Sequence, residues 1–127
     1  QANALVNIYL DGTVLVSTPE ATAIDLVGYQ HHAGGLDQVA TILVELVEKI
    51  DPQKLAAAAA TAPVPWAQRL GYLLEHIDAG KKASALKAYV QEHARLAAVL
   101  SPTAPRAASR RDDDWNLYVN ADVEAET

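Results

Sequence analysis

The chain contains no cysteine, no methionine and no phenylalanine. Without cysteine it has no disulfide framework, no thiolate zinc site and no cysteine nucleophile. Leu, Val, Ile and Ala must fill the core, with help from two Trp and five Tyr. No starting methionine is present, so Gln1 is not expected to be the native start, and the sequence reads as an excised or trimmed domain. Long apolar runs are also missing. None approaches the roughly 20 residues of a membrane span, and no signal peptide is visible. The expectation is a cytoplasmic chain with no membrane partner. Positive charge is scarce, with 10 Lys and Arg against 16 Asp and Glu, a formal net charge of −6. Nucleic-acid binding draws on clustered cations that displace phosphate counterions. Only Lys81-Lys82 and Arg106, Arg110 and Arg111 come close to clustering, and the arginines run into Asp112-Asp113-Asp114. Direct nucleic-acid binding by this chain is not expected.

What is present is ordinary in amount. The 127 residues are 50% hydrophobic and 20% charged, which fits one globular domain over 1–127. A chain of this size buries about two thirds of its unfolded surface, enough for a core without covalent staples.

The pattern along the chain predicts an α+β fold. Residues 4–10 and 13–17 are β-prone runs around Asp11-Gly12, a strong hairpin signal. That pairing would put Val6, Ile8 and Leu10 on one face. Ser17 or Thr18 can cap the helix that follows, Pro19 suits its first position, and Glu20 favours its positive end. This helix should end near Tyr29, with Gly34-Gly35 as the turn. Leu36, Val39, Ile42, Leu43, Leu46, Val47 and Ile50 follow helical spacing. Asp51-Pro52 stops that helix and starts another through Ala56–Ala60. Pro63 and Pro65 open the next, with a stripe of Trp66, Leu70, Leu73, Leu74 and Ile77, and Gly71 permitting close backbone approach. A last helix, about 82–94, should bury Leu86, Tyr89 and Val90. Residues 101–114 read as a mobile loop. Trp115, Leu117, Val119, Ala121 and Val123 then alternate with polar residues, as a half-buried strand does. The expected architecture is an N-terminal hairpin, a central block of four to five helices, and a C-terminal strand joining the hairpin in one small sheet.

Candidate chemistry is sparse. His31-His32 are adjacent, a poor chelate without a third spaced ligand, and His76 and His93 each sit alone on helices. Glu20 and Asp25 lie five apart, on different parts of the helix surface, so they make a poor acid–base pair. Glu20 is read as a first-turn acid. Asp25, amid Ile24, Leu26 and Val27, is expected to bond a neighbouring backbone or Arg69, or to touch a partner. Gly34-Gly35 lacks the context of a phosphate cradle, and no serine has a nucleophile-elbow context. The reading therefore assigns no catalytic residue, no metal ligand and no cofactor.

The hairpin leading into S-T-P-E-A-T-A-I-D-L-V (17–27) resembles the V-S-T-P-E-x-T-x-x-D-L segment of AbiEi-type antitoxins. Those proteins are transcriptional regulators of bacterial type IV toxin–antitoxin systems, linked to phage abortive infection. G-G-L-D-Q-V-A-T-I-L-V-E-L (34–46), W-A-Q-R-L-G-Y-L-L-E (66–75) and W-N-L-Y-V-N (115–120) extend the resemblance over nearly the whole chain in the family's order. The resemblance implies a C-terminal antitoxin domain that in the full protein follows a winged-helix DNA-binding domain. It implies autoregulation of the operon and a nucleotidyltransferase toxin as counterpart, functional if not physical. The matched positions are Ser17, Thr18, Pro19, Glu20, Thr22, Asp25, Arg69, Gly71, Trp115 and Asn120, with a structural or interaction role. Two rival readings remain: a degenerate nuclease-like enzyme using Asp122 and Glu124, and a dimerisation or ligand-sensing module of a repressor.

Overall fold

A computed structural model of the protein describes residues 6–10, 13–106 and 109–124, with side chains described from residue 18 onward. Strands β1 (Val6–Leu10) and β2 (Thr13–Ser17) pair antiparallel, with Val6 opposite Ser17 and Leu10 opposite Thr13. The Asp11-Gly12 turn and the facing of Val6, Ile8 and Leu10 lie outside what is described. Helix α1 (Pro19–Gly28) begins where its capping chemistry places it. Thr18 is extended, its Oγ1 accepts from the Ala21 N–H at 3.1 Å, and Pro19 occupies the first turn.

Gly34 and Gly35 both adopt positive φ, 94° and 93°, a conformation that side-chain-bearing residues rarely take. They reverse the chain into α2 (Leu36–Leu46), which buries Leu36, Val39, Ala40, Leu43 and Leu46. A 3-10 turn over Val47–Lys49 carries the chain to buried Ile50. Asp51 then caps α3 (Pro52–Ala59) by accepting from the Gln53 and Lys54 N–H groups.

Helix α4 (Val64–His76) is the axis of the fold. Ala67, Gln68, Leu70, Gly71, Tyr72, Leu73 and Leu74 are all buried, so the helix is covered on nearly every side rather than along one stripe. It packs against α1, α3, β3 and, beyond a 3-10 turn over Gly80–Ala83, α5 (Ser84–His93). Lys82 reaches from that turn to donate to the Ile50 carbonyl at 2.7 Å.

The C-terminal region departs from expectation. The closing strand does not join β1 and β2. Instead β3 (Ala98–Val99), β4 (Arg110–Asp112) and β5 (Leu117–Val119) form a separate sheet in the order β3-β5-β4, β3 parallel and β4 antiparallel to β5. The reason lies in α4. Gln68 Nε2 donates to the carbonyls of Leu96, Trp115 and Asn116 at 3.2, 3.2 and 2.8 Å, and Arg69 Nε donates to the Val99 carbonyl at 2.7 Å. Both incoming backbone segments are thereby fixed side by side on one helix, where they pair with each other. The stretch read as a mobile loop also contains β4, and its start is held by Asn120. Asn120 exchanges two hydrogen bonds with the Ser101 backbone and donates to the Ala104 carbonyl.

The alternation from Trp115 to Val123 is real, with Trp115, Leu117, Val119 and Val123 buried and Asp122 exposed. The strand itself covers only Leu117–Val119. Among the described residues, no helix is long and apolar enough to cross a membrane.

Candidate functional site

The ten signature positions separate into two places. Six lie at and after the β2–α1 junction, and the other four lie where α4 meets the C-terminal sheet.

At the first place, Ser17 ends β2, Thr18 is the cap and Pro19 is buried. Glu20 is more than a first-turn acid. It is 3% exposed, and its Oε2 accepts from the Asp51 N–H at 2.8 Å. In a capping box, a Glu in the helix's own first turn accepts from the cap residue's N–H. That third helical position in α3 is Lys54, which cannot accept, and Glu20 performs the task from another helix. Glu20→Ala is expected to cost about 1–3 kcal/mol by stranding this donor, and Glu20→Gln, which keeps an acceptor, much less. Urea unfolding monitored by circular dichroism measures the difference.

Thr22 is 6% exposed, and its Oγ1 has no hydrogen-bond partner among the described residues. Thr22→Val keeps the shape and removes the unpaired hydroxyl. It is expected to raise stability by about 1 kcal/mol, read as a higher melting temperature.

At the second place, Trp115 is fully buried and lies flat against Gly71. A Cβ at residue 71 would stand 2.0 Å from Trp115 Cζ3. Trp115 Nε1 donates to Glu75 Oε1 at 2.9 Å, and Glu75 Oε2 pairs with Lys87 at 3.2 Å. That hydrogen bond holds the Lys87 ammonium above the ordinary lysine value, with further help from Asp114. Lys87 also lies over the Trp115 ring, 5.9 Å from its centre. Asn116, at φ 50°, donates to the Ala94 carbonyl and accepts from Arg111. Arg69 and Asn120 are occupied with backbone, as described above. Burial pulls the Arg69 guanidinium below its ordinary value. Sequence reasoning named Gly71 and Trp115 but missed Gln68, Glu75 and Lys87, whose polar side chains on helices carry no periodic signal.

The expected Asp25–Arg69 contact is not made, because Arg69 is turned to Val99. Asp25 instead faces outward at one wall of a groove of about 300 Å³ lined by Ala21, Ile24, Tyr29, Trp66 and the 58–63 turn. Ala21 and Asp25 lie four residues apart on one face of α1, and Tyr29, the residue that caps its end, follows at the same spacing. The Tyr29 ring meets Trp66 edge-on, with centroids 5.2 Å apart, while staying 55% exposed. Gly28 makes room for Trp66, since a Cβ there would stand 2.5 Å from that ring. The groove walls partly desolvate Asp25 and push its carboxyl above the usual carboxylate value.

A second cleft, about 310 Å³, is lined by Gln30, His31, Gly34, Gly35, Asp37, Ser101 and Asp122 among others. Asp37 is already engaged, accepting from the Glu124 N–H at 2.9 Å. His31 and His32 are exposed. His76 donates from Nε2 to the Val123 carbonyl at 2.6 Å, and His93 contacts the Tyr89 carbonyl. Asp122 and Glu124 follow β5 and are exposed. Among the described residues, no group of three His, Asp or Glu is placed to hold a metal ion.

The sequence model of the AbiEi antitoxin C-terminal domain matches residues 4–76. The matched span runs from β1 to the last residue of α4. It is shorter than the near-complete coverage the motifs suggested, and it leaves Trp115 and Asn120 beyond its end. Searches of curated proteins and of solved structures found no match.

Proposed function

Because the chain belongs to the AbiEi antitoxin C-terminal domain family, we propose that it is the antitoxin domain of an AbiEi-like transcriptional regulator of a type IV system, countering a nucleotidyltransferase toxin without turnover. The family match over residues 4–76 is the observation that carries this reading. The side-chain chemistry agrees with it. Glu20, Arg69, Trp115 and Asn120 are spent on holding backbone and neighbouring side chains in place. Among the described side chains, Asp25 in the groove is a signature acid turned outward and open to contact. In this reading the chain is one domain that works in the cytoplasm. DNA binding and autoregulation belong to a winged-helix domain of the full protein, in keeping with the net charge of −6.

The test is co-expression with the nucleotidyltransferase encoded beside it. Growth is expected to be rescued by residues 1–127 as well as by the full protein. Rescue by the full protein alone would move antitoxicity to the DNA-binding part.

A further inference from the structure

We infer that the groove between α1 and the α3–α4 turn receives an arginine side chain from a protein partner, with the Asp25 carboxylate pairing its guanidinium and Tyr29 and Trp66 providing the apolar walls. Three observations carry this. The Asp25 carboxylate has no hydrogen-bond or ion-pair partner among the described residues, although it lines a concave surface shared with Ile24, Tyr29, Pro63 and Trp66. The walls are two aromatic rings, one of them 55% exposed and packed edge-on against the other at 5.2 Å. That packing restricts the tyrosine's rotamers and so lowers the ordering cost of binding. Finally, the net charge of −6 favours a cationic visitor.

Among cations, the planar guanidinium suits the site best. It pairs with a carboxylate through two parallel hydrogen bonds and is weakly enough hydrated to lie against an aromatic face, whereas an ammonium is a compact, strongly hydrated point charge. The partial desolvation of Asp25 disfavours an unpaired charge, and a guanidinium beside the carboxylate offsets that cost.

The inference rests on the groove and gives the contact in the antitoxin reading its chemistry, and the two fail separately. A titration of the purified chain needs no toxin, whereas growth rescue needs no knowledge of the groove.

The probe is N-acetyl-arginine amide added to isotope-labelled protein, followed by the backbone amides of Asp25 and Tyr29 and the indole N–H of Trp66. Saturable shifts are expected at those three positions, with a dissociation constant on the order of 1 mM for so small a ligand. Asp25→Asn should weaken binding about tenfold or more. This variant should fold, since the Asp25 side chain is exposed and its backbone bond to Tyr29 is unaffected. Tyr29→Ala, also at an exposed position, should weaken it as well. The uncharged citrulline analogue should leave the spectrum unchanged. The inference is overturned if arginine shifts none of the three, if Asp25→Asn titrates like the parent, or if the acetyl-lysine or citrulline amide binds as tightly.

Discussion

Replacing Gly71 with alanine is expected to destabilise the protein by about 2–3 kcal/mol, the upper part of the range for forced overpacking. The sign is the informative part. On an exposed helix the same change would stabilise by up to about 1 kcal/mol, because glycine is a poor helix former. Here the added methyl would stand 2.0, 2.2 and 2.4 Å from three carbons of the Trp115 ring, far inside contact distance. The ring cannot easily retreat, since its indole N–H is bonded to Glu75 and its backbone carbonyl to Gln68. Thermal melting would show a fall of roughly 6–15 °C for a domain of this size. An unchanged or higher midpoint would mean that Trp115 does not lie against α4.

Truncating the ring itself should cost more. Trp115→Ala removes the largest fully buried side chain and leaves a cavity against α4, a change that typically costs about 3–5 kcal/mol. It also strips Glu75 of one of its two partners, leaving Lys87. In this truncated background the obstacle to a methyl at residue 71 is gone. Gly71→Ala should then become neutral or stabilising by up to about 1 kcal/mol, as helix propensity alone dictates. A double-mutant cycle by urea unfolding measures this reversal. Additive effects of the two substitutions would show that they do not touch.

The behaviour of this junction also explains which parts of the fold were legible in the sequence. Thr18-Pro19 and Asp51-Pro52 announce helix starts through local hydrogen bonds, and the structure has them there. The α2 stripe is periodic and was read from spacing alone. Gly71 reads as a place of close backbone approach, but what fills it is a side chain, the ring of Trp115, 44 positions later, which nothing local could announce.

The sheet was misread for a related reason. A two-residue strand such as β3 has no period to detect, and Arg110–Asp112 in β4 looks like solvated loop by composition. The pairing of β3 with β5 is supported by Gln68 and Arg69, side chains that a sequence reading treats as surface. Glu20 shows the same limit, because its role as remote partner of Asp51 exists only once α1 and α3 are packed. The groove was half legible. Asp25 stood out as an acid among apolar residues, whereas Tyr29 registered only as a helix end and Trp66 only as part of a stripe.

Action without turnover is the claim that distinguishes this account from an enzymatic antitoxin. It is tested most directly by placing the antitoxin and the adjacent nucleotidyltransferase under separate inducers and measuring growth against the amount of each. Recovery is expected to rise in proportion to antitoxin and to fail once antitoxin is scarce beside the species it engages, whether the toxin or the toxin's target. Complete, lasting recovery from antitoxin far below both would contradict action without turnover.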